Sequence, residues 1–160
     1  TGARALVAGA VGPLVLATFV SDGTAAGTQQ LVTPQPLPAG SNPRDLLGVA
    51  PGVAAWFAAT TTTTGEEPWL SDGSSAGTQL LTEIRGGSAA GIRPPLANAV
   101  DALELDGLVF FAGTTAAQGH ELWVSDRSVA GTRLVLDIAP GSESSSPTNF
   151  AALGGIVYFT

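Results

Sequence analysis

Residues 71–78 read SDGSSAGT, and nearly the same octapeptide stands at 21–28 (SDGTAAGT) and at 125–132 (SDRSVAGT). The copies begin 50 and then 54 residues apart, so the chain is an array of one unit of about fifty residues, with four extra residues in a loop. A second landmark keeps the same register: eleven residues separate Ala8 from Phe19, Ala58 from Trp69 and Ala112 from Trp123. Ahead of each alanine is an apolar pair, Leu6 and Val7, Trp56 and Phe57, or Phe110 and Phe111, and a fourth pair, Tyr158 and Phe159, closes the chain. The expected organisation is a single repeat array over 1–160. Its repeats lie at about 3–52, 53–106 and 107–154, with the first strand of a fourth at 155–160.

Within a unit the apolar residues alternate or form short runs bounded by Gly, Pro, Asp and Ser, the pattern of strands rather than helices. The third unit predicts four strands, at 107–113, 121–125, 132–138 and about 148–153. Gly154 and Gly155 then predict a two-residue hairpin into the next strand, because glycine accepts the positive φ such turns require. The octapeptide is the loop between the second and third strands. In it Asp22 and Asp72 accept backbone N–H groups two residues on, while the following Gly23 or Gly73 turns left-handed. Arg127 replaces that glycine in the third copy, which predicts either different dihedrals there or no need for a positive φ. Alternation puts Leu134, Leu136 and Ile138 on one side of the third strand, and Val135 and Asp137 on the other.

Composition agrees with a packed all-β body: of 160 residues 44% are hydrophobic and 12% charged, enough apolar material for a core. The 21 glycines and 11 prolines suit many turns but are too well patterned for a disordered segment. A net charge of −7, with every basic residue an arginine, disfavours nucleic acid and anionic membrane surfaces as partners. No apolar run reaches the length of a membrane span without interruption, and the opening ARALVAGAVGPLVLATFV reads as two strands around Gly12 and Pro13 rather than as a signal peptide. With no cysteine, disulfides and thiolate metal sites are excluded.

The segment HELWVSDRSVAGTRLVLDIAPGSESSSPTNFAALGGIVYFT, residues 120–160, resembles the ELWxxDGT-type repeat of long arrays in bacterial, especially myxobacterial, surface or secreted proteins. The third copy matches through Glu121, Leu122, Trp123, Ser125, Asp126, Gly131, Thr132, Asp137, Ile138, Pro140, Gly141, Pro147, Tyr158 and Phe159. The second keeps Glu67, Trp69, Ser71, Asp72, Gly73, Gly77, Thr78 and Ile84 but has Pro68 in place of leucine. The first keeps the octapeptide and has Ala17 and Phe19 where the others have Glu and Trp. The resemblance implies a secreted or cell-surface bacterial protein, and it carries no established chemistry to any position.

A four-stranded unit of about fifty residues fits a β-propeller blade, and propellers use roughly four to eight blades. Three units cannot close a ring. The expectation is therefore a portion of a larger propeller or one completed by association of copies, with a β-trefoil as the rival architecture. The absence of methionine points the same way, toward a processed or excised segment.

The chemistry-bearing residues form no evident catalytic set. His120 is the only histidine, and its counterparts in the other copies are Glu66 and Leu16, so no acid–base partner travels with it. Asp101, Glu104 and Asp106 form an acidic cluster, and paired carboxylates perform glycoside hydrolysis when held at fixed separation, but these alternate along a strand and read as a solvated edge. Calcium at Asp22, Asp72 and Asp126 is conceivable for a hard cation seeking oxygen ligands, yet each loop supplies one carboxylate. Trp69 and Trp123, with Phe19, project from equivalent points and either pack between units or stack on sugars. The run Thr60 to Thr64 takes the place of a turn.

The expected function is thus a non-catalytic binding, adhesion or scaffold module. Its candidate binding residues are Asp22, Asp72, Asp126, Trp69, Trp123 and His120, its partner a glycan or surface protein, and it needs no cofactor. The alternative is a lectin-like domain or the accessory part of a larger secreted hydrolase, which requires Asp101, Glu104 and His120 to meet in a cleft.

Overall fold

The computed structural model describes residues 5–12, 15–30, 41–48, 55–61, 63–92 and 101–160. Among them every regular element is a strand and every strand pairing is antiparallel, so the chain is all-β. The first sheet holds β1 (Ala5–Gly12), β2 (Val15–Ser21) and β3 (Gln29–Gln30). The second is ordered β4 (Arg44–Leu47), β5 (Ala55–Thr61), β6 (Gly65–Ser71) and β7 (Gln79–Leu80). The third repeats that meander with β8 (Ala102–Leu105), β9 (Leu108–Thr115), β10 (Gly119–Ser125) and β11 (Arg133–Leu136). A fourth sheet holds β12 (Ala151–Leu153) and β13 (Ile156–Tyr158). Hydrogen bonding joins the last strand of one sequence unit to the first of the next, so β8 lies ahead of residue 107. The expected repeat boundaries at 3 and at 52 and 53 fall outside the described residues, as does Pro13.

Local chemistry explains the turns. Gly154 and Gly155 have φ of 61° and 77° and connect β12 to β13 with Leu153 opposite Ile156, the two-residue hairpin the sequence predicts. Asp106 and Gly107, at 52° and 82°, make the same turn between β8 and β9, where Leu105 faces Leu108. Between β5 and β6, and again between β9 and β10, a threonine hydroxyl holds a three-residue loop: Thr61 accepts the N–H of Thr64 and Thr115 that of Gln118, each at 2.9 Å. The Thr60–Thr64 run therefore ends one strand and starts this loop, with Thr62 outside the described residues. The β6–β7 ladder covers Trp69 and Leu70; beyond it the Leu81 N–H donates to the Pro68 carbonyl at 2.9 Å, but Pro68 has no N–H to donate in return, whereas its counterpart Leu122 pairs with Leu136.

One expectation about faces fails. The β10–β11 ladder shifts register between Leu122, opposite Leu136, and Trp123, opposite Leu134. Neighbouring residues on β10 point to opposite faces, so Leu134 and Leu136 do not share a side. The bulge at Val135 breaks the alternation that the sequence alone suggests.

The core lies between sheets. Trp56, Ala58, Leu70, Leu81 and Ile92 cluster with Ala102, Val109 and Phe111 of the third sheet, and the Trp56 and Phe111 rings are 5.2 Å apart. On the opposite face of the second sheet, Phe57, Ala59 and Trp69 form another cluster with Leu46 and Leu80. Both faces of the second sheet are thus buried, as in a stack of layers. Each large ring removes about 150–250 Å² from water, on the order of 4–6 kcal/mol of hydrophobic stabilisation before ordering costs.

Candidate functional site

The octapeptide loops are built alike in all three copies. A hydroxyl pair closes each, Ser21 with Thr28 at 2.7 Å, Ser71 with Thr78 at 2.6 Å and Ser125 with Thr132 at 2.7 Å. The Asp Oδ1 accepts both the N–H and the hydroxyl two residues on, at 3.0 and 2.8 Å for Asp22, 2.8 and 2.7 Å for Asp72, and 2.8 and 2.6 Å for Asp126. These donors, first the Ser74 or Ser128 hydroxyl and then the same residue's N–H, hold Asp72 and Asp126 below the usual carboxylate range. A Cβ on Gly77 or Gly131 would lie about 2.1 Å from the Asp72 carboxylate and 2.0 Å from that of Asp126, so the second glycine of each loop makes room for the aspartate. The three aspartates face their own loops.

The third loop corrects the expectation about Arg127. Its φ is 71°, close to the 89° and 84° of Gly23 and Gly73, so the same left-handed turn is made with a non-glycine residue. The flanking bonds over-determine it: the Arg127 N–H donates to Ser125 Oγ at 3.0 Å, as Gly73 donates to Ser71 at 3.1 Å. Nη1 of Arg127 also reaches the Gly107 carbonyl at 2.6 Å.

Sequence reasoning assigned no role to the carboxylates that prove most deeply placed. Glu67 and Glu121, each 0% exposed, project from β6 and β10 under the chain that follows the third strand. Glu67 accepts the N–H groups of Ile84 at 3.0 Å and Arg85 at 3.1 Å. Glu121 accepts those of Ile138 at 3.0 Å, Ala139 at 3.4 Å and Ser145 at 2.8 Å, and the Ser145 hydroxyl at 2.6 Å. Burial raises the Glu67 carboxyl to about 7, against the opposing N–H donors of Ile84, Arg85 and Gly91, with the Glu83 charge adding to the rise. Burial also acts on Glu121, but the Ser145 hydroxyl, with the N–H groups of Ser145, Ile138 and Ala139, outweighs it and leaves that carboxyl lowered. The available signal was the glutamate standing two residues ahead of Trp69 and again ahead of Trp123.

His120, the second residue of β10, is buried, with Nδ1 2.7 Å from Thr114 Oγ1 and its backbone N–H donating to Ser144 Oγ at 3.0 Å. Its counterpart Glu66 accepts from Arg44 Nε at 2.6 Å, and Arg44 also pairs with Asp45. Burial raises the carboxyls of Glu66 and Asp45 against the pull of Arg44. Asp101, also buried, is raised by burial and then by the Asp45 charge, with Arg44 opposing. Glu104 accepts the Gly107 N–H at 2.9 Å and pairs opposite Val109, whereas His120 pairs opposite Thr114. Five residues along β9 separate those levels, about 16 Å at a strand's rise. Glu104 and His120 therefore do not share a cleft. No group of three or more His, Cys, Asp or Glu among the described residues has the geometry to hold a metal, and no helix is long and apolar enough to cross a membrane.

Sugar stacking needs an exposed ring, and Trp69 is 1% exposed within its cluster. Trp123 is half-buried, packs against the inter-sheet core and lies 6.5 Å from the Phe111 ring. Both tryptophans pack between strands and sheets because a small residue lies beneath each ring, Ala59 in one case and Gly113 in the other. What the structure does expose is apolar surface from residue 108 onward: Leu136 61%, Leu153 74%, Ile156 56% and Tyr158 50% are examples. No family model, no curated protein and no solved structure matches the chain.

Proposed function

We propose that the chain is a non-catalytic interaction module, a segment of a β-propeller-type repeat array that works at a bacterial surface or after secretion by presenting surfaces for binding. The observation that supports this reading is how the repeated polar groups are used. Glu67 and Glu121 tether backbone, Asp22, Asp72 and Asp126 shape their loops, and His120 binds Thr114. The surface left for a partner is the apolar one around β11 to β13. The resemblance to surface-protein repeats supports the location, and the sequential four-stranded sheets stacked through Trp56 and Phe111 support the propeller over the trefoil.

A screen of the intact chain against a broad set of hydrolase substrates tests the reading, with Asp101→Asn and His120→Ala as comparisons. No turnover is expected. Turnover that either substitution abolishes would sink the proposal and favour the hydrolase-associated alternative. A glycan array decides whether the partner is a sugar: the buried Trp69 ring leads us to expect no binding dependent on that residue.

A further inference from the structure

Glu67 lies beneath a single strap of chain, residues 81–92, that is pinned to β6 at both ends. The Leu81 N–H donates to the Pro68 carbonyl, and the Gly91 and Ile92 N–H groups donate to the Glu66 carbonyl, each at 2.9 Å. Between those pins the Glu67 carboxylate takes the N–H groups of Ile84 and Arg85 at 3.0 and 3.1 Å, and Gly86, Gly87 and Ser88 stand exposed along the strap. The strap also crosses to the next sheet, since the Gly91 carbonyl accepts the Thr114 N–H of β9 at 2.6 Å. The same crossing occurs one repeat earlier, where the Ser41 carbonyl accepts the Thr60 N–H of β5 at 2.7 Å. What holds the strap down in the second repeat is thus a side chain, and what the strap holds in turn is the third sheet.

The residue at the place of Glu67 is Ala17 in the first repeat and Glu121 in the third. Glu121 has the Ser145 hydroxyl as well as N–H donors, whereas the hydrogen bonds described at Glu67 all come from backbone N–H groups. Gly91 leaves no room for a further donor there, because even a Cβ would lie 2.3 Å from Glu67 Oε2. A carboxylate closed off from solvent on backbone dipoles alone is costly to ionise. We propose that Glu67 is a proton-operated latch on the joint between the second and third sheets: with its proton the carboxyl stays beneath the strap, and without it the carboxylate moves out to water, the strap opens and its hold on Thr114 is released. The charged neighbours leave that direction unopposed. On the strap Glu83 adds its charge against ionisation, and Arg85 contributes its backbone N–H. On β6 Glu66 points to the other face and pairs with Arg44, and on β5 the residue opposite Glu67 is Ala59. The strands of the first sheet carry no charged residue, and on the third sheet Thr114 binds His120. Burial lifts the Glu67 carboxyl to about 7, while a glutamate released to water ionises near 4.5. The closed state therefore keeps a proton that the open state has lost, and rising pH favours opening.

Amide hydrogen exchange on the whole chain, in urea too dilute to unfold it, reads this opening. The Ile84, Arg85, Gly91 and Thr114 amides are expected to exchange through one opening that urea does not accelerate, with urea-sensitive amides of β9 and β10 as the reference for global unfolding. Corrected for intrinsic rates, that opening is expected to become on the order of 50-fold more frequent from pH 5 to pH 8. Glu67→Gln should abolish the rise, and so should Glu67→Ala, a change that the first repeat already tolerates at Ala17. His120→Asn should leave the rise intact, since the titrating group is Glu67. Exchange of the strap amides by the urea-dependent route alone, or an opening that does not change with pH, overturns the inference. A rise that persists in either Glu67 variant, or that disappears in His120→Asn, overturns it as well.

Discussion

Ser145 donates twice to Glu121, through its N–H at 2.8 Å and its hydroxyl at 2.6 Å, and the residue 54 positions earlier that faces Glu67 is Gly91, which has no hydroxyl. One scaffold thus buries two equivalent carboxylates and solvates them differently. A charge removed from water is tolerated only as far as nearby dipoles replace the lost hydration. Burial weighs more heavily on Glu67 and raises it to about 7, whereas at Glu121 the Ser145 hydroxyl, with the N–H groups of Ser145, Ile138 and Ala139, outweighs burial and leaves the carboxyl lowered. A Cβ on Gly91 would lie 2.3 Å from Glu67 Oε2, so in the second repeat the carboxylate fills the space a side chain would need.

Replacing Ser145 with alanine deletes one charge-assisted bond and leaves the backbone donors in place. Such bonds contribute about 1.5–3 kcal/mol, and partial exposure of Ser145 puts the expected loss toward about 1–2 kcal/mol. Urea titration at pH 7 measures it, and the Glu121 carboxyl resonance should titrate at higher pH in the variant. An unchanged midpoint together with an unchanged titration would remove the hydroxyl from any role.

Stability should fall as pH rises from about 4.5 to 7. Over that window the folded chain keeps the Glu67 proton, pKa about 7, while an unfolded glutamate near 4.5 has released it, so the folded state binds more protons and alkalinity favours unfolding. Two and a half units correspond to about 3 kcal/mol as an order of magnitude. Asp45, Glu66 and Asp101 are raised as well and act in the same direction, whereas the lowered Glu121 and Asp72 lose their stabilisation in more acidic solution. Denaturation midpoints from pH 5 to 8 check this. Glu67→Gln should be less stable at pH 5, because its amide faces N–H donors, yet show a visibly shallower decline.

The all-β character, with its strands and the octapeptide hairpins, was legible in the sequence because each is encoded locally, by alternation and by Asp, Gly and Ser at turn positions. Asp72 capping Ser74 is a contact between residues two apart, within reach of pattern reading. Glu67 tethering Ile84 spans seventeen residues and depends on where a loop returns, which no local rule supplies. Spacing placed Trp69 and Trp123 at equivalent points but did not set their exposure, which follows from which neighbouring sheet covers each face. The bulge at Val135 was also hidden, since apolar residues stand on both sides of it.

Arg127 occupies a conformation that costs a non-glycine residue about 1–2 kcal/mol. Its return is one bond to the Gly107 carbonyl, while Nε and Nη2 are buried without a hydrogen-bond partner. Glycine relieves the strain and fits the loop as it does at 23 and 73, less its greater freedom when unfolded. Arg127→Gly is therefore expected to stabilise by about 0.5–1 kcal/mol, raising the melting temperature by roughly 1–4 °C for a chain of this size. A decrease would show that the guanidinium contact outweighs the strain.

Gly113 lies beneath Trp123, and a Cβ there would come 2.7 Å from Cδ1 and 2.8 Å from Cγ of the indole. Those atoms lie at the base of the side chain, so the ring cannot step aside by a distal rotation and must tilt as a whole, away from its packing against the Trp56 and Phe111 cluster. The strand is not the obstacle, since Ala59 holds the equivalent place beneath Trp69. Gly113→Ala should accordingly lose about 1–3 kcal/mol, the range for overpacking, although alanine is otherwise better suited to a strand interior. If the loss comes from the ring, it shrinks when the ring is removed: the alanine change should cost less in a Trp123→Leu background than in the parent chain. Equal losses in the two backgrounds, measured by urea unfolding, would place the penalty in the backbone at 113 and not in its contact with the indole.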